Sequence, residues 1–166
     1  MLEVSRERLL TPRLELRRTR IEDAAAMFEA LRHSEMYTYT PRNAPESVED
    51  VATRFARVMQ EMAPDRTEQW LNWTVWLSET GAPLGTIEAT VSEGHSVSIG
   101  YLFDPRVWRR GYAREAVSAM IEHLRECGAA HFEAVIDIRN LASKRLVGAL
   151  DFQHVRTSGL DETWRL

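Results

Sequence analysis

The residues best suited to chemistry lie at 105–117, Pro-Arg-Val-Trp-Arg-Arg-Gly-Tyr-Ala-Arg-Glu-Ala-Val, where three arginines surround a glycine. Gly111 lets the backbone approach a ligand with no Cβ in the way. The N–H groups of a helical turn beginning just after it would point outward with the positive end of the helix dipole. Such a turn is an anion site, phosphate above all. Arg106, Arg109 and Arg110 add side-chain charge where a diphosphate would lie. By itself the segment fits a surface turn with solvated arginines equally well.

The flanking residues predict what would position that turn. Ala113, Ala116, Val117, Met120, Ile121 and Leu124 recur on one helical face, with Arg114, Glu115, Glu122, His123 and Glu126 off it. Gly128 is placed to stop the helix. Residues 131–138 then alternate, with Phe132, Ala134, Ile136 and Ile138 on one side, and upstream Val97, Ile99, Tyr101 and Phe103 alternate as well. The turn therefore sits in a strand–helix–strand unit with a right-handed crossover.

Ile99-Gly100-Tyr101, Asp104-Pro105 and Trp108-x-x-Gly111-Tyr112-Ala113-x-Glu115-Ala116 resemble the acetyl-coenzyme A signature of the GNAT N-acetyltransferase superfamily. More narrowly they resemble the ribosomal-protein alanine N-acetyltransferases, the RimJ/RimL-like subgroup. The superfamily signature runs Gln/Arg-x-x-Gly-x-Gly/Ala, and Trp108 here takes its first position. A second stretch, Asn140-x-x-Ser143-x-x-Leu146 with Leu150-x-Phe152, resembles the family's closing motif, a short helix bordering the thioester. The resemblance implies that acetyl-coenzyme A lies against Tyr101, Leu102, Phe103, Arg106, Arg109, Arg110, Gly111, Tyr112, Ala113, Asn140 and Ser143, with backbone N–H groups carrying most of the pyrophosphate. Asn140 is also a natural N-cap. Asp151 stands where the family has glycine, and Asp tolerates positive φ better than most residues.

The chemistry the resemblance implies is direct transfer of an acetyl group to an amine. Many relatives carry a tyrosine on the closing helix to protonate the leaving thiolate; Val147 occupies that position, and the subgroup pattern gives the role to Ser143. A backbone N–H near Tyr101–Phe103 would polarise the thioester carbonyl. The base is expected at Glu88, one strand earlier, directly or through water; its plain reading is a solvent-facing carboxylate paired with Thr90. The family often has a glutamate three residues before Tyr101, where this chain has Ser98. An acyl-coenzyme A-binding protein that has lost transfer, and an unrelated phosphate-binding α/β protein, are the alternatives; the second motif argues against the latter.

In the N-terminal half, residues 11–17 read as an opening strand. Thr19-x-x-Glu22 is a capping-box pattern before a helix with Ala24, Met27, Phe28 and Leu31. Ser47-x-x-Asp50 opens another, whose apolar face runs from Val48 to Met62. Residues 33–46 between them read as a loop. In the family this region shapes the acceptor pocket, so Tyr37 and Tyr39 are candidate substrate contacts, with aromatic packing as the alternative. Residues 70–77 and 84–92 read as strands of a hairpin, Trp73 and Val75 on one face and Trp70 and Trp76 on the other. Two last strands are expected at 152–156 and 162–166, and the short tail leaves the acceptor pocket either open or completed by a partner subunit in a homodimer.

The expected fold class is mixed α+β: a GNAT-like domain over 1–166, with a central twisted sheet of six to seven strands and about four helices. The chain has 166 residues, 44% of them hydrophobic, enough for one substantial core. No apolar run approaches membrane-spanning length and no signal-like start appears, so no membrane partner is expected. Cys127 alone precludes an internal disulfide and fits a cytoplasmic home. Five histidines show no metal-ligand spacing, so no metal is expected. A net charge of −4 argues against nucleic acid and suits a cationic amine acceptor, either a protein N-terminus or a small molecule.

Overall fold

The computed structural model describes residues 1–4 and 7–166. Its centre is one eight-stranded sheet built from β1 (Arg8–Leu10), β2 (Leu14–Arg18), β3 (Gln69–Leu77), β4 (Pro83–Val91), β5 (Ser96–Phe103), β6 (His131–Asp137), β7 (Gln153–Ser158) and β8 (Asp161–Arg165). The spatial order is β1-β2-β3-β4-β5-β6-β8-β7. Every neighbouring pair is antiparallel except β5 and β6, which are joined through helix α3 (Tyr112–Glu126). That parallel pair is the crossover unit expected from the alternation on either side of the anion turn.

Two apolar layers hold the sheet. On one face Met120, Leu124 and Val117 of α3, with Val147 of α4 (Leu141–Gly148), pack on Trp73, Ile87, Val97, Phe132 and Phe152. On the other, α1 (Ala24–Leu31) and α2 (Val48–Val58) enclose Met27, Val51, Phe55 and Trp76. The period-2 pattern of β3 thus delivers Trp73 and Trp76 to opposite cores, as the spacing predicts. Thr74 lies buried between them and accepts a hydrogen bond from the Trp76 indole at 2.9 Å.

Several local expectations change. Thr19 does not cap a helix: its N–H donates to the Asn72 carbonyl at 3.0 Å, extending the β2–β3 seam, and a 3₁₀ turn at Ile21–Asp23 intervenes before α1. Ser47 does cap α2, accepting from the Asp50 N–H at 3.1 Å. That helix stops at Val58 because the chain reverses: Glu61 takes φ 57°, its carbonyl accepts from the Trp70 N–H, and Met62 bridges to Gln69. The sheet has eight strands instead of six to seven because three residues at Arg8–Leu10, too few to show a period, add to β2. The C-terminal hairpin extends to Ser158 before its turn, and β8, not β7, lies beside β6. Asp151 does adopt the positive φ its place requires, 67°.

Gly85 fixes how closely β4 and β5 approach. A Cβ there would stand 2.0 Å from the Leu102 carbonyl oxygen, at φ +155°. Nothing flexible can yield, because the obstruction is backbone. Gly85→Ala is expected to lose at least about 1–3 kcal/mol from backbone strain alone, seen as a lowered denaturant midpoint at unchanged slope.

Candidate active site

The site begins where pairing stops. β5 and β6 pair only from Ser96–His131 to Ser98–Glu133. Beyond that, β6 remains bonded to β8 as far as Asp137, and β5 remains bonded to β4 as far as Phe103. The two strands part, and a cavity of about 250 Å³ opens between Ile99–Leu102 and Ala134–Asp137. Thr86 and Glu88 of β4, Tyr39–Arg42 of the α1–α2 loop, and Asn140 and Ser143 at the start of α4 complete its lining. β5 groups facing the parted edge have no strand partner, so a ligand with amides of its own can pair with them.

At the outer end of β5 the chain turns into α3. Asp104, 2% exposed, caps the turn by accepting from the Arg106 N–H at 2.8 Å. Burial alone would push its carboxyl up, but the Arg106 hydrogen bonds and charge, with help from His33, outweigh that and hold it below the usual range. Arg106 is therefore not free toward the turn. Its guanidinium grips Asp104 (Nε to Oδ2 2.9 Å) and donates to the Glu29 carbonyl, while the side chain stays largely exposed. Arg109 (φ 63°) and Gly111 (φ 82°) both take left-handed backbone, while Arg109 and Arg110 stay exposed. The first-turn amides of α3, from Tyr112 onward, have no intrahelical acceptor and face outward.

A clamp from the β1–β2 turn holds that helix end. Glu115 accepts from Thr11 Oγ1 at 2.6 Å, from the Arg13 N–H at 3.0 Å and from Arg13 Nε at 2.6 Å. Arg13 also donates to the Arg110 carbonyl and lies 4.5 Å over the Tyr112 ring. Burial would raise the Glu115 carboxyl, yet these donors hold it low. Sequence reasoning missed this pairing, because nothing in local spacing links residues about 100 positions apart.

At the inner end, Asn140 caps α4 by accepting from the Ser143 N–H at 3.1 Å, and the Tyr101 hydroxyl donates to Ser143 Oγ at 3.0 Å. Burial pushes the Tyr101 phenol up to about 12. Val147 is wholly buried in the core, so α4 offers no hydroxyl there. On the opposite wall, Glu88 lies across Gly100: a Cβ on Gly100 would meet Glu88 Oε1 at 2.6 Å. Its partner is Arg42, not Thr90. Asp137 is tied to Arg139 at 2.6 Å, whose hydrogen bonds hold its carboxyl down at about 2, and the Arg139 guanidinium stands 5.7 Å over the Tyr39 ring. Tyr39 lines the cavity. Tyr37 does not: it is buried in the α1–α2 layer, donating to the Leu31 carbonyl at 2.9 Å, which makes it a packing residue.

A larger hollow of about 500 Å³ is formed by Met1, Arg66, Thr67 and Ser92–His95. His95 touches the Gly128 carbonyl, so this hollow sits at the opposite end of α3 from the Gly111 turn. It gathers turn residues, without the converging strand edges, helix amides and hydroxyls of the smaller cavity. Among the described residues no group of three His, Cys, Asp or Glu side chains is placed to hold a metal, and no helix is long and apolar enough to cross a membrane.

Comparison with known proteins gives the same picture. Residues 13–153 match the acetyltransferase (GNAT) domain family. The uncharacterized N-acetyltransferase YoaA of Bacillus subtilis (strain 168) is 30% identical over 151 residues, 87% of this chain and 82% of that protein. A GNAT-family acetyltransferase from Bacillus anthracis superposes with a TM-score of 0.80 at 19% identity, covering 96% of this chain and 97% of that one. RimL, the ribosomal L7/L12 α-N-protein acetyltransferase, in complex with coenzyme A superposes at 0.82 with 14% identity, covering 96% and 97%. These likenesses establish the fold, and with the domain match they place the chain in the GNAT acetyltransferase family.

Proposed function

We propose that this acetyltransferase moves an acetyl group from acetyl-coenzyme A directly onto a primary amine in the manner of the RimJ/RimL-like enzymes, with the whole chain acting as one domain in the cytoplasm. The observation that carries this reading is the slot between β5 and β6, which has helix amides at its outer end, a serine hydroxyl at its inner end and a carboxylate on its far wall. The residues present fit the coenzyme. Gly111 removes the Cβ beside the α3 amides, and Arg109 and Arg110 are exposed next to it. The N–H groups of Gly111, Tyr112 and Ala113 would hold the diphosphate. The open edge at Tyr101 and Phe103, with Leu102 between them bonded into the β4 ladder, would pair with the pantetheine amides.

When bound, acetyl-coenzyme A supplies the activated acyl thioester. A β5 backbone N–H polarises the carbonyl. Glu88, once the acceptor displaces Arg42, attracts the ammonium and takes its proton. Ser143 faces the leaving sulfur, and Asn140 contributes by fixing the helix turn that carries it. Tyr39 borders the acceptor side. The acceptor is a protein N-terminus or a small amine, and a second copy of the chain closing that side as a homodimer is compatible with the fully exposed β7 edge.

Coenzyme affinity checks the diphosphate placement. Gly111→Val should obstruct the close approach and abolish measurable binding, whereas Arg110→Ala should cost only about 1–3 kcal/mol, one charged hydrogen bond, in calorimetric titration with acetyl-coenzyme A. Unaltered affinity in both variants contradicts the placement.

Transfer itself is tested with purified protein against ribosomal-protein N-terminal peptides, polyamines, aminoglycosides and amino acids. Coenzyme release is expected with at least one class. For that acceptor, Glu88→Gln is expected to lose roughly 10²–10⁴-fold in rate, with recovery at high pH where the amine arrives deprotonated. Coenzyme binding without turnover of any class would instead identify a binding protein. A Glu88→Gln pH profile overlaying wild type would leave Glu88 as a strand carboxylate.

A further inference from the structure

Ser143 has one hydroxyl hydrogen and two lone pairs, and early in a helix such a hydrogen is readily taken by a local backbone carbonyl. A donor arriving from across the slot changes that. The Tyr101 hydroxyl reaches Ser143 Oγ at 3.0 Å, against 3.5 Å to the Ser143 carbonyl, so its hydrogen goes to the side chain. One lone pair is filled from the β5 side, and among the described residues the serine hydroxyl donates to no carbonyl, so its hydrogen is available to the cavity that Ser143 lines.

We propose that Tyr101 and Ser143 form a two-hydroxyl donor chain, Tyr101 to Ser143 to sulfur, that stabilises the coenzyme thiolate, with Tyr101 as the positioning residue. The inference rests on the transfer reading above and extends it. The phenol that relatives were expected to carry on α4 is absent, since Val147 is buried in the core, and β5 supplies one from the opposite wall. Tyr39, the other phenol lining the cavity, sits on the acceptor side under Arg139. Glu88 takes the ammonium proton, the amine lone pair forms the C–N bond, the C–S electron pair goes to sulfur as that bond breaks, and the second nitrogen proton is lost to water as the amide forms. No covalent O–H bond breaks at Tyr101 or Ser143; the thiolate collects its proton from solvent on release. Because burial holds the phenol protonated to about pH 12, the chain stays a donor throughout the working range. Hydrogen bonds in series strengthen one another, so the serine is a better donor with Tyr101 behind it.

Donors that favour thiolate over thiol lower the pKa of the bound coenzyme A thiol below that of the free coenzyme. Affinity must then rise with pH from the lowered bound value up to the free value and level off above it. The test is calorimetric titration of coenzyme A across that window, with desulfo-coenzyme A as the control for other titrating groups. The charged groups facing the cavity are Glu88 with Arg42, and Asp137 with Arg139; both probes meet them equally.

The wild type is expected to gain about tenfold for coenzyme A, one pKa unit, and nothing for the desulfo compound. Tyr101→Phe and Ser143→Ala should each flatten the rise, the double variant no further than Ser143→Ala, and Ser143→Thr should restore it. With an accepted amine, Tyr101→Phe should lower kcat about tenfold or more at unchanged KM for acetyl-coenzyme A. Should Tyr101→Phe fold poorly, Ser143→Ala with the Thr rescue carries the test. A flat wild-type profile, a rise that survives in Tyr101→Phe, or equal loss of both probes in that variant would overturn the donor chain. A wild type that shows the rise yet turns over no amine supports the thiol site and counts against the transfer reading alone.

Discussion

Strand β6 has two edges and gives them to different partners for different lengths. Toward β5 it is bonded for three residue pairs; toward β8 it is bonded for five. Every feature of the site depends on that inequality. It parts two strands that would otherwise close on each other, and it leaves β5 a stretch of edge without a strand partner. Burial of unpaired backbone is costly, so such an edge persists where solvent or a ligand can serve it. The C-terminal hairpin, outwardly a solvated appendage, holds β6 away by occupying its other side.

The two ends of the slot are stabilised by different means. The outer end is electrostatic: Asp104 and Glu115 anchor the chain on either side of the Gly111 turn, each carboxylate held by an arginine, with Arg109 and Arg110 exposed beside the α3 amides. The inner end is a short hydrogen-bonded path from Asn140 to Ser143 and from Tyr101 to Ser143 that bridges β5 and α4. Between them Glu88 rests on Gly100, a position where any side chain would collide with it. Of the two carboxylates beside the cavity, Asp137 is held low by Arg139, while Glu88 is paired with Arg42 of a surface loop.

What the sequence disclosed follows how local each feature is. The glycine turn before α3, α3 itself, the capping role of Asn140, the positive φ of Asp151 and the split of Trp73 from Trp76 all come from patterns within a few residues, and all appear as expected. Features set by distant pairing were not legible. Arg42 meets Glu88 across 46 positions, Glu115 meets Thr11 across 104, and no spacing rule anticipates either. Nor did spacing anticipate that Arg106, near Gly111 in sequence, pairs with the buried carboxylate two residues before it. Tyr37 and Tyr39 differ by two positions, and the 3₁₀ turn at Ser34–Tyr37 sends one into the core and the other to the cavity.

Amide hydrogen exchange with and without coenzyme A tests most directly whether the parted strands and the α3 turn hold the coenzyme. On addition of coenzyme A, slowed exchange is predicted at Tyr101–Phe103 and at Gly111–Ala113, with no change around Ser92–His95, where the larger hollow lies. Protection confined to that hollow, or binding that leaves both the β5 edge and the α3 turn exchanging as before, would contradict the account.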